Sequence, residues 1–304
     1  MAEKTKNISA SVHQRLLNKA RQSSRPFNEL LQHFAIERFI YRLSKSPHAE
    51  RFILKGALMF SVWTGSMSRP TMDIDLLGKI ENSPEVIVSV IKDTCEIDVE
   101  NDGIIFSKDT VTAERITEDA DYKGVRVLLR GSLGSIKLFL QIDIGFGDVI
   151  IPEPGQVKYP VLLDFPAPEL KGYTMESTIA EKFQAMVKLG LLNSRMKDFY
   201  DIWFLSRMFD FKGESMVEAI EKTFEKRGTP VSIDPTIFTP AFMKDDNKQV
   251  QWHGFINKAK LIEAPKSFES VAAAIKTFLQ PEVTSIINRK TFRLFWAAPG
   301  PWLK

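Results

Sequence analysis

The chain has little cysteine, little histidine and no long apolar run, and each shortage removes a class of protein. One cysteine, Cys95, among 304 residues rules out an internal disulfide framework and fits a reducing compartment. The four histidines, His13, His33, His48 and His253, are scattered and never at the spacing of a zinc site. No apolar stretch is long enough to cross a bilayer. The segment "MAEKTKNISASVHQ" is polar and lacks the apolar run of a signal peptide, so a cytoplasmic protein without a membrane partner is expected. No G-x-x-x-x-G-K-[ST] occurs, which excludes a P-loop NTPase. A net charge of only +3 makes no global case for nucleic acid. The basic stretches "HQRLLNKARQSSR" and "INRKTFRLFW" are open to two readings, solvated helix faces or phosphate-binding surfaces.

What is present is an ordinary globular composition, 44% hydrophobic and 26% charged. Residues 8–45 read as two helices. Ser9 or Ser11 caps the first, and Pro26 stands in the first turn of the second. "RFILK" reads as a strand, "GALMFSVWTG" as a short buried helix, and "SPEVIVSVIKDTCEI" as an amphipathic helix opened by Ser83 and Pro84. "GIIFSKDTVTAERI", "VRVLLR" and "IKLFLQIDI" read as strands, with Gly131 and Gly134 suiting the hairpin between the last two. A proline-rich stretch near 149–173 reads as a linker. Beyond it the chain turns helical, with a last helix "SFESVAAAIKTFLQ" stopped by Pro281 and an odd tail that reads as mobile. The expected organisation is N-terminal helices at 1–48, a mixed α/β core at 49–165, a mainly helical domain at 166–283 and a tail at 284–304.

Within that core, "RPTMDIDLL" places two carboxylates in an otherwise apolar strand. Met72, Ile74 and Leu76 alternate with Thr71, Asp73 and Asp75, so one face is apolar and the other carries both acids. They stand roughly 6–7 Å apart along the strand, where like charges need a counter-charge. Magnesium binds through one or two carboxylates plus substrate phosphates, and would serve. Asp143, in "KLFLQIDIGFGD", sits on the face of a second alternating strand, as a third ligand if the strands pair or as a partner for an arginine such as Arg126. Asp148 reads as a turn residue. Ahead of the acids, Lys55 and Gly56 open a helix whose first N–H groups suit a phosphate. Later, Ser177 or Thr178 caps a helix carrying Lys182 on its exposed side. In the next helix Arg195, Asp198 and Asp201 share a face at three-residue spacing.

These residues, in this order, resemble the polymerase-β-like nucleotidyltransferase superfamily. More narrowly they resemble the AbiEii/AbiGii toxin family, which includes the MenT-type toxins and is the toxin half of type IV toxin–antitoxin and phage-defence pairs. Arg69, Thr71, Asp73, Ile74 and Asp75 match its R-x-T-x-D-[IL]-D. Glu181–Lys182 followed by Arg195, Lys197, Asp198 and Asp201 match its E-K and R-x-K-D-x-x-D elements. The likeness spans about residues 50–205. One departure is Ala57, where the family shows the second glycine of a G-G pair. The resemblance implies an α/β, nucleotidyltransferase-like mixed sheet with flanking helices, followed by a mainly helical C-terminal domain. It implies Mg2+ (or Mn2+) held by Asp73, Asp75 and Asp143, and a nucleoside triphosphate as substrate. Catalytic roles would fall to these acids with Lys182 and Asp198. Nucleotide contacts would fall to Lys55, Gly56, Arg69, Thr71, Glu181, Arg195, Lys197 and Asp201. It further implies RNA, tRNA at its 3′ end above all, as acceptor, a block of translation, and an antitoxin partner. Transfer onto a protein, a triphosphate-binding regulator without turnover, and a metal nuclease using the same acids stay open at this point.

Overall fold

A computed structural model of the chain describes residues 7–65, 71–118 and 122–304, with the backbone alone at 117–118 and 122–123. Contacts divide it into two units, Met1–Gly147 with Gly155–Gly172, and Asp148–Pro154 with Tyr173–Lys304.

The first unit is built on a mixed sheet. In chain order its elements are α1 (Ile8–Ser23), α2 (Phe27–Lys45), β1 (Phe52–Lys55), α3 (Ala57–Thr64), β2 (Asp73–Gly78), α4 (Pro84–Cys95), β3 (Ile104–Glu118), β4 (Tyr122–Leu133), β5 (Ile136–Phe146), β6 (Gly155–Lys158) and β7 (Glu169–Gly172). Among the described residues the strand order is β3-β4-β5-β2-β1-β7-β6. Most neighbours are antiparallel, but β2 pairs with β5 in parallel and β1 with β7 in parallel. The proline-rich stretch expected as a linker thus supplies two strands at one end of the sheet, β6 at its edge and β7 beside it. They are four residues each, too short to leave an alternating pattern.

Helix α2 forms the floor of this unit. From Leu30 to Leu43 every residue is buried, and Phe34, Ile36, Phe39 and Ile40 are fully covered. Each such side chain contributes roughly 1.5–3 kcal/mol of hydrophobic stabilisation. Burial on all sides forces its polar residues into pairs. Asp102, ahead of β3, accepts from Arg38 Nε at 2.9 Å and from Arg42 Nη1 at 2.7 Å and Nη2 at 3.0 Å. Burial would push the Asp102 carboxyl up, but these guanidinium contacts hold it below the ordinary carboxylate range. The first helix is capped by Asn7, whose side chain accepts from Ala10 N, and not by Ser9 or Ser11. The Ser9 hydroxyl instead donates to the Gly103 carbonyl. Ser83 does cap α4. Gly134 takes the left-handed conformation between β4 and β5, whereas Gly131 lies within β4 opposite Leu138.

The second unit contains α5 (Met175–Leu189), α6 (Met196–Met208), β8 (Phe211–Lys212), α7 (Gly213–Lys226), α8 (Pro240–Met243), α9 (Asp246–Lys258), α10 (Phe268–Ile287), β9 (Phe295–Trp296) and β10 (Trp302–Leu303). Its core is aromatic. Phe183 packs near Phe224 and Phe238, and Phe199 against Phe242 and Phe268. Two expectations fail here. Pro281 lies inside α10 and does not end it. The proline removes one helical hydrogen bond, but Glu282, Val283 and Ser285 beyond it are buried, and that packing carries the helix on. The supposed tail is ordered, with β9 joining β8 and β10. Trp296 is buried and its indole donates to the Ser206 carbonyl at 2.7 Å. Among the described residues, no helix is long and apolar enough to cross a membrane.

Candidate functional site

Strand β2 buries Ile74 and Leu76 completely and leaves Asp73 and Asp75 partly accessible on the other face. Its two neighbours decide what those acids meet. In register, Lys55 of β1 lies opposite Asp75, Asp75 opposite Asp143 of β5, Asp143 opposite Arg126 of β4, and Arg126 opposite Glu114 of β3. Directly opposed residues share a face. The sheet therefore carries a row of charges that reads plus, minus, minus, plus, minus. One step along, Asp73 lies opposite Gln141, and Gln141 opposite Leu128.

The two central carboxylates have different surroundings. Asp143 is 9% exposed and accepts two hydrogen bonds from Arg126, both at 2.8 Å, and a third from Gln141 at 3.0 Å. The bond to Asp143, aided by the charges of Asp143, Asp73 and Glu114, holds the Arg126 guanidinium above its ordinary value. Asp75 instead sits against Gly56. That glycine has φ 70° and ψ −149°, a region open essentially to glycine alone. A Cβ there would lie 1.9 Å from Asp75 Oδ2. Helix α3 begins at the next residue, so its first N–H groups open beside this carboxylate. Thr71 precedes the strand, its hydroxyl 3.4 Å from the Asp73 carbonyl oxygen, too long for more than a weak bond. Arg69 lies outside the described residues.

The donor set fits a hard divalent cation at Asp73 and Asp75. Both are oxygen ligands on one face, and Gly56, with no side chain, lets the Asp75 carboxylate pack directly on the backbone at the start of α3. Among the described residues, no three acidic, histidine or cysteine side chains form a complete cage for an ion. Asp143, expected as the third ligand, stands in the same row with both oxygens engaged by Arg126.

A second cluster lies in the helical unit. Thr174 caps α5, accepting from Ser177 N, where the sequence pointed to Ser177 or Thr178. Lys182 is not on an exposed side. Only 15% of its side chain is accessible, and its Nζ lies 2.8 Å from Asp198 Oδ1 and 2.9 Å from Asp201 Oδ2. Both aspartates are buried, and the face they share on α6 is the one turned to Lys182. Arg195 Nε stands 2.8 Å from the other Asp198 oxygen. Lys197 is exposed, on another side of α6.

Sequence reasoning missed the partners of Glu181. Arg227, just past α7, reaches Glu181 at 3.1 Å and Asp148 at 2.9 Å, and donates to Gln184 at 3.0 Å. The Tyr173 hydroxyl donates to Glu181 at 2.6 Å. Burial first, then the nearby Glu181 and Asp148 charges, raises the Tyr173 phenol well above its ordinary value. Asp148 is thus a buried ion-pair member and not a turn residue on the surface. The one signal for Arg227 was a cation at a helix end, which ordinarily marks only a favourable dipole contact.

The family model that matches this chain defines a nucleotidyltransferase. That model, for the nucleotidyl transferase AbiEii toxin of type IV toxin–antitoxin systems, covers residues 38–274, and the chain belongs to that family. Among solved structures, a provisionally assigned nucleotidyltransferase of H. pylori is 13% identical and aligns over 87% of this chain and 99% of its own, with a TM-score of 0.48. JHP933 from Helicobacter pylori is 14% identical over 86% of this chain and 93% of its own, with a TM-score of 0.46. No curated protein matches the chain.

Proposed function

We propose that this nucleotidyltransferase moves a nucleotide from a nucleoside triphosphate onto the 3′ end of an RNA, tRNA above all, and thereby blocks translation. The observation that carries the proposal is the register of Asp75 beside Asp143, with Asp73 one step along and Gly56 pressed against Asp75. Mg2+ (or Mn2+) at Asp73 and Asp75 would act as a Lewis acid toward phosphate oxygens. Gly56 lets the backbone come close, and the opening N–H groups of α3 with Lys55 receive the phosphate tail. The acceptor hydroxyl attacks the α-phosphate in line. Its bond to phosphorus forms, the bond to the β-phosphate oxygen breaks, and pyrophosphate leaves. Asp143 takes the hydroxyl proton, and the Arg126 contacts fix the position of its carboxylate.

Lys182 is assigned to the triphosphate as a fixed cation. Asp198 and Asp201 hold its ammonium in one place, which removes the cost of ordering a long side chain during reaction. Arg195, about a third exposed, and the exposed Lys197 are assigned to phosphates of nucleotide or RNA. Arg227 ties Glu181 of α5 to Asp148. The test is incubation of the purified chain with each labelled triphosphate, magnesium, and separate pools of RNA and protein. Label in the RNA is the expected result. Label in protein alone, or RNA that shortens without triphosphate, overturns the proposal.

A further inference from the structure

The far strands of the sheet present an apolar surface on the same open side as the carboxylates. Phe139 of β5 is 59% exposed and Leu128 of β4 is 45% exposed, in strands whose other face is packed. Together with Thr112, Arg130, Gln141 and Asp73 they line a groove of about 490 Å3. That volume lies within the range of small-ligand sites, which has room for a nucleotide but not for a duplex.

Three features favour a base over an apolar peptide. Arg130 is the register partner of Phe139, and its guanidinium carbon lies over one face of the ring, 5.7 Å from the centroid, with the Phe139 side chain still largely exposed. An exposed aromatic face beside an arginine is the pairing that holds a stacked base and its phosphate. Gln141 and Thr112 add hydrogen-bonding groups of the kind that read base edges. Last, the groove runs into the metal-binding face, because Asp73 is one of its walls. Along β5, Phe139 lies two residues from Gln141 and four from Asp143 on one face, roughly 7 Å and 13 Å. Gly56 and the start of α3 lie on the β1 side of the carboxylates, while this groove lies on the β4 and β3 side.

The geometry points to this groove as the seat of the unpaired terminal base of the acceptor strand, stacked on Phe139 with Arg130 at its phosphate. This rests on the transfer reading and adds the subsite that presents the 3′ hydroxyl to Asp73, Asp75 and Asp143. The triphosphate would bind on the opposite flank, without touching Phe139.

The test measures binding of two probes to the full chain, a fluorescein-labelled single-stranded RNA 12-mer with a free 3′ hydroxyl and a fluorescent triphosphate analogue. Both Phe139 and Arg130 are exposed, so their variants should fold, which circular dichroism checks. Phe139→Ala should weaken the 12-mer on the order of tenfold, Phe139→Tyr should restore it, and Arg130→Ala should weaken it and flatten its salt dependence. Triphosphate binding should not move. Unchanged 12-mer binding in Phe139→Ala, absence of 12-mer binding by the native chain, or loss of the triphosphate instead would each overturn the assignment. The transfer reading fails separately, if the native chain incorporates no label into RNA whatever the 12-mer does.

Discussion

Gly56→Ala isolates the contact on which the proposed phosphate end of the site depends. The new Cβ would fall 1.9 Å from Asp75 Oδ2, 2.6 Å from Cγ and 2.8 Å from Cβ. Ordinary contact begins near 3.4 Å, so the carboxylate or the backbone must give by about 1.5 Å, the difference between 3.4 and 1.9. Asp75 is hemmed in by its strand, with Lys55 and Asp143 as register partners on either side. The shift therefore falls on the carboxylate itself or on the opening of α3. A misplacement of about 1 Å at reacting groups can cost on the order of 100-fold in rate. The backbone adds its own penalty of about 1–3 kcal/mol, since φ 70° with ψ −149° admits essentially only glycine. Incorporation of labelled triphosphate into RNA should fall at least 100-fold, at a temperature where urea titration shows the variant still folded. A folded Gly56→Ala protein within threefold of native activity would refute the close approach of backbone, carboxylate and phosphate.

Other expectations follow from the buried charges. Lys182→Met removes the cation shared by the buried Asp198 and Asp201, with Arg195 still at Asp198, and should cost up to about 3–5 kcal/mol in urea unfolding; adding Asp201→Asn should return part of that loss. Burial raises the Glu37 carboxyl to about 7, against the opposing contacts of the Leu162 N–H and Arg38. The folded state thus holds that proton more tightly than the unfolded chain. Its contribution is complete below about pH 4.5 and is lost as pH rises through about 7. A Glu37→Gln variant should lack this loss, about 3 kcal/mol, in stability measured from pH 5 to 8. Glu282 is fully buried with neither carboxyl oxygen hydrogen-bonded, and burial raises its pKa well above the ordinary value. Glu282→Met should raise the neutral-pH melting temperature, by about 1–3 kcal/mol of stability, and an unchanged or lower melting temperature would count against that burial.

The acids were legible because strand alternation is a short-range signal. Asp73, Asp75 and Asp143 each interrupt an apolar run at the period of a strand, and pairing β2 with β5 then puts them on one face. The Arg126 clamp could be named only as one option, since register is a tertiary fact. Burial was harder. Arg195, Asp198 and Asp201 show one helix face in any setting, and nothing local says whether that face meets water or Lys182. Arg227 is 79 residues from Asp148 and became visible only when α7 was placed. Strands β6 and β7 and the small sheet of β8, β9 and β10 are too short for periodicity to register. Pro281 misled because its local cost is real, yet smaller than the packing gained by the turn that follows it. Alternation put Phe139 on the face of Gln141 and Asp143, but that it and Leu128 are exposed there became visible only once the sheet was assembled.

Manganese binding tests the central claim most directly. Electron paramagnetic resonance can count Mn2+ bound to the chain in the presence of a non-hydrolysable triphosphate, without any turnover. The native protein should bind, and Asp73→Asn and Asp75→Asn should each weaken binding at least tenfold while circular dichroism stays unchanged. Equal Mn2+ binding in the native chain and both variants would contradict the assignment of these two carboxylates to the metal.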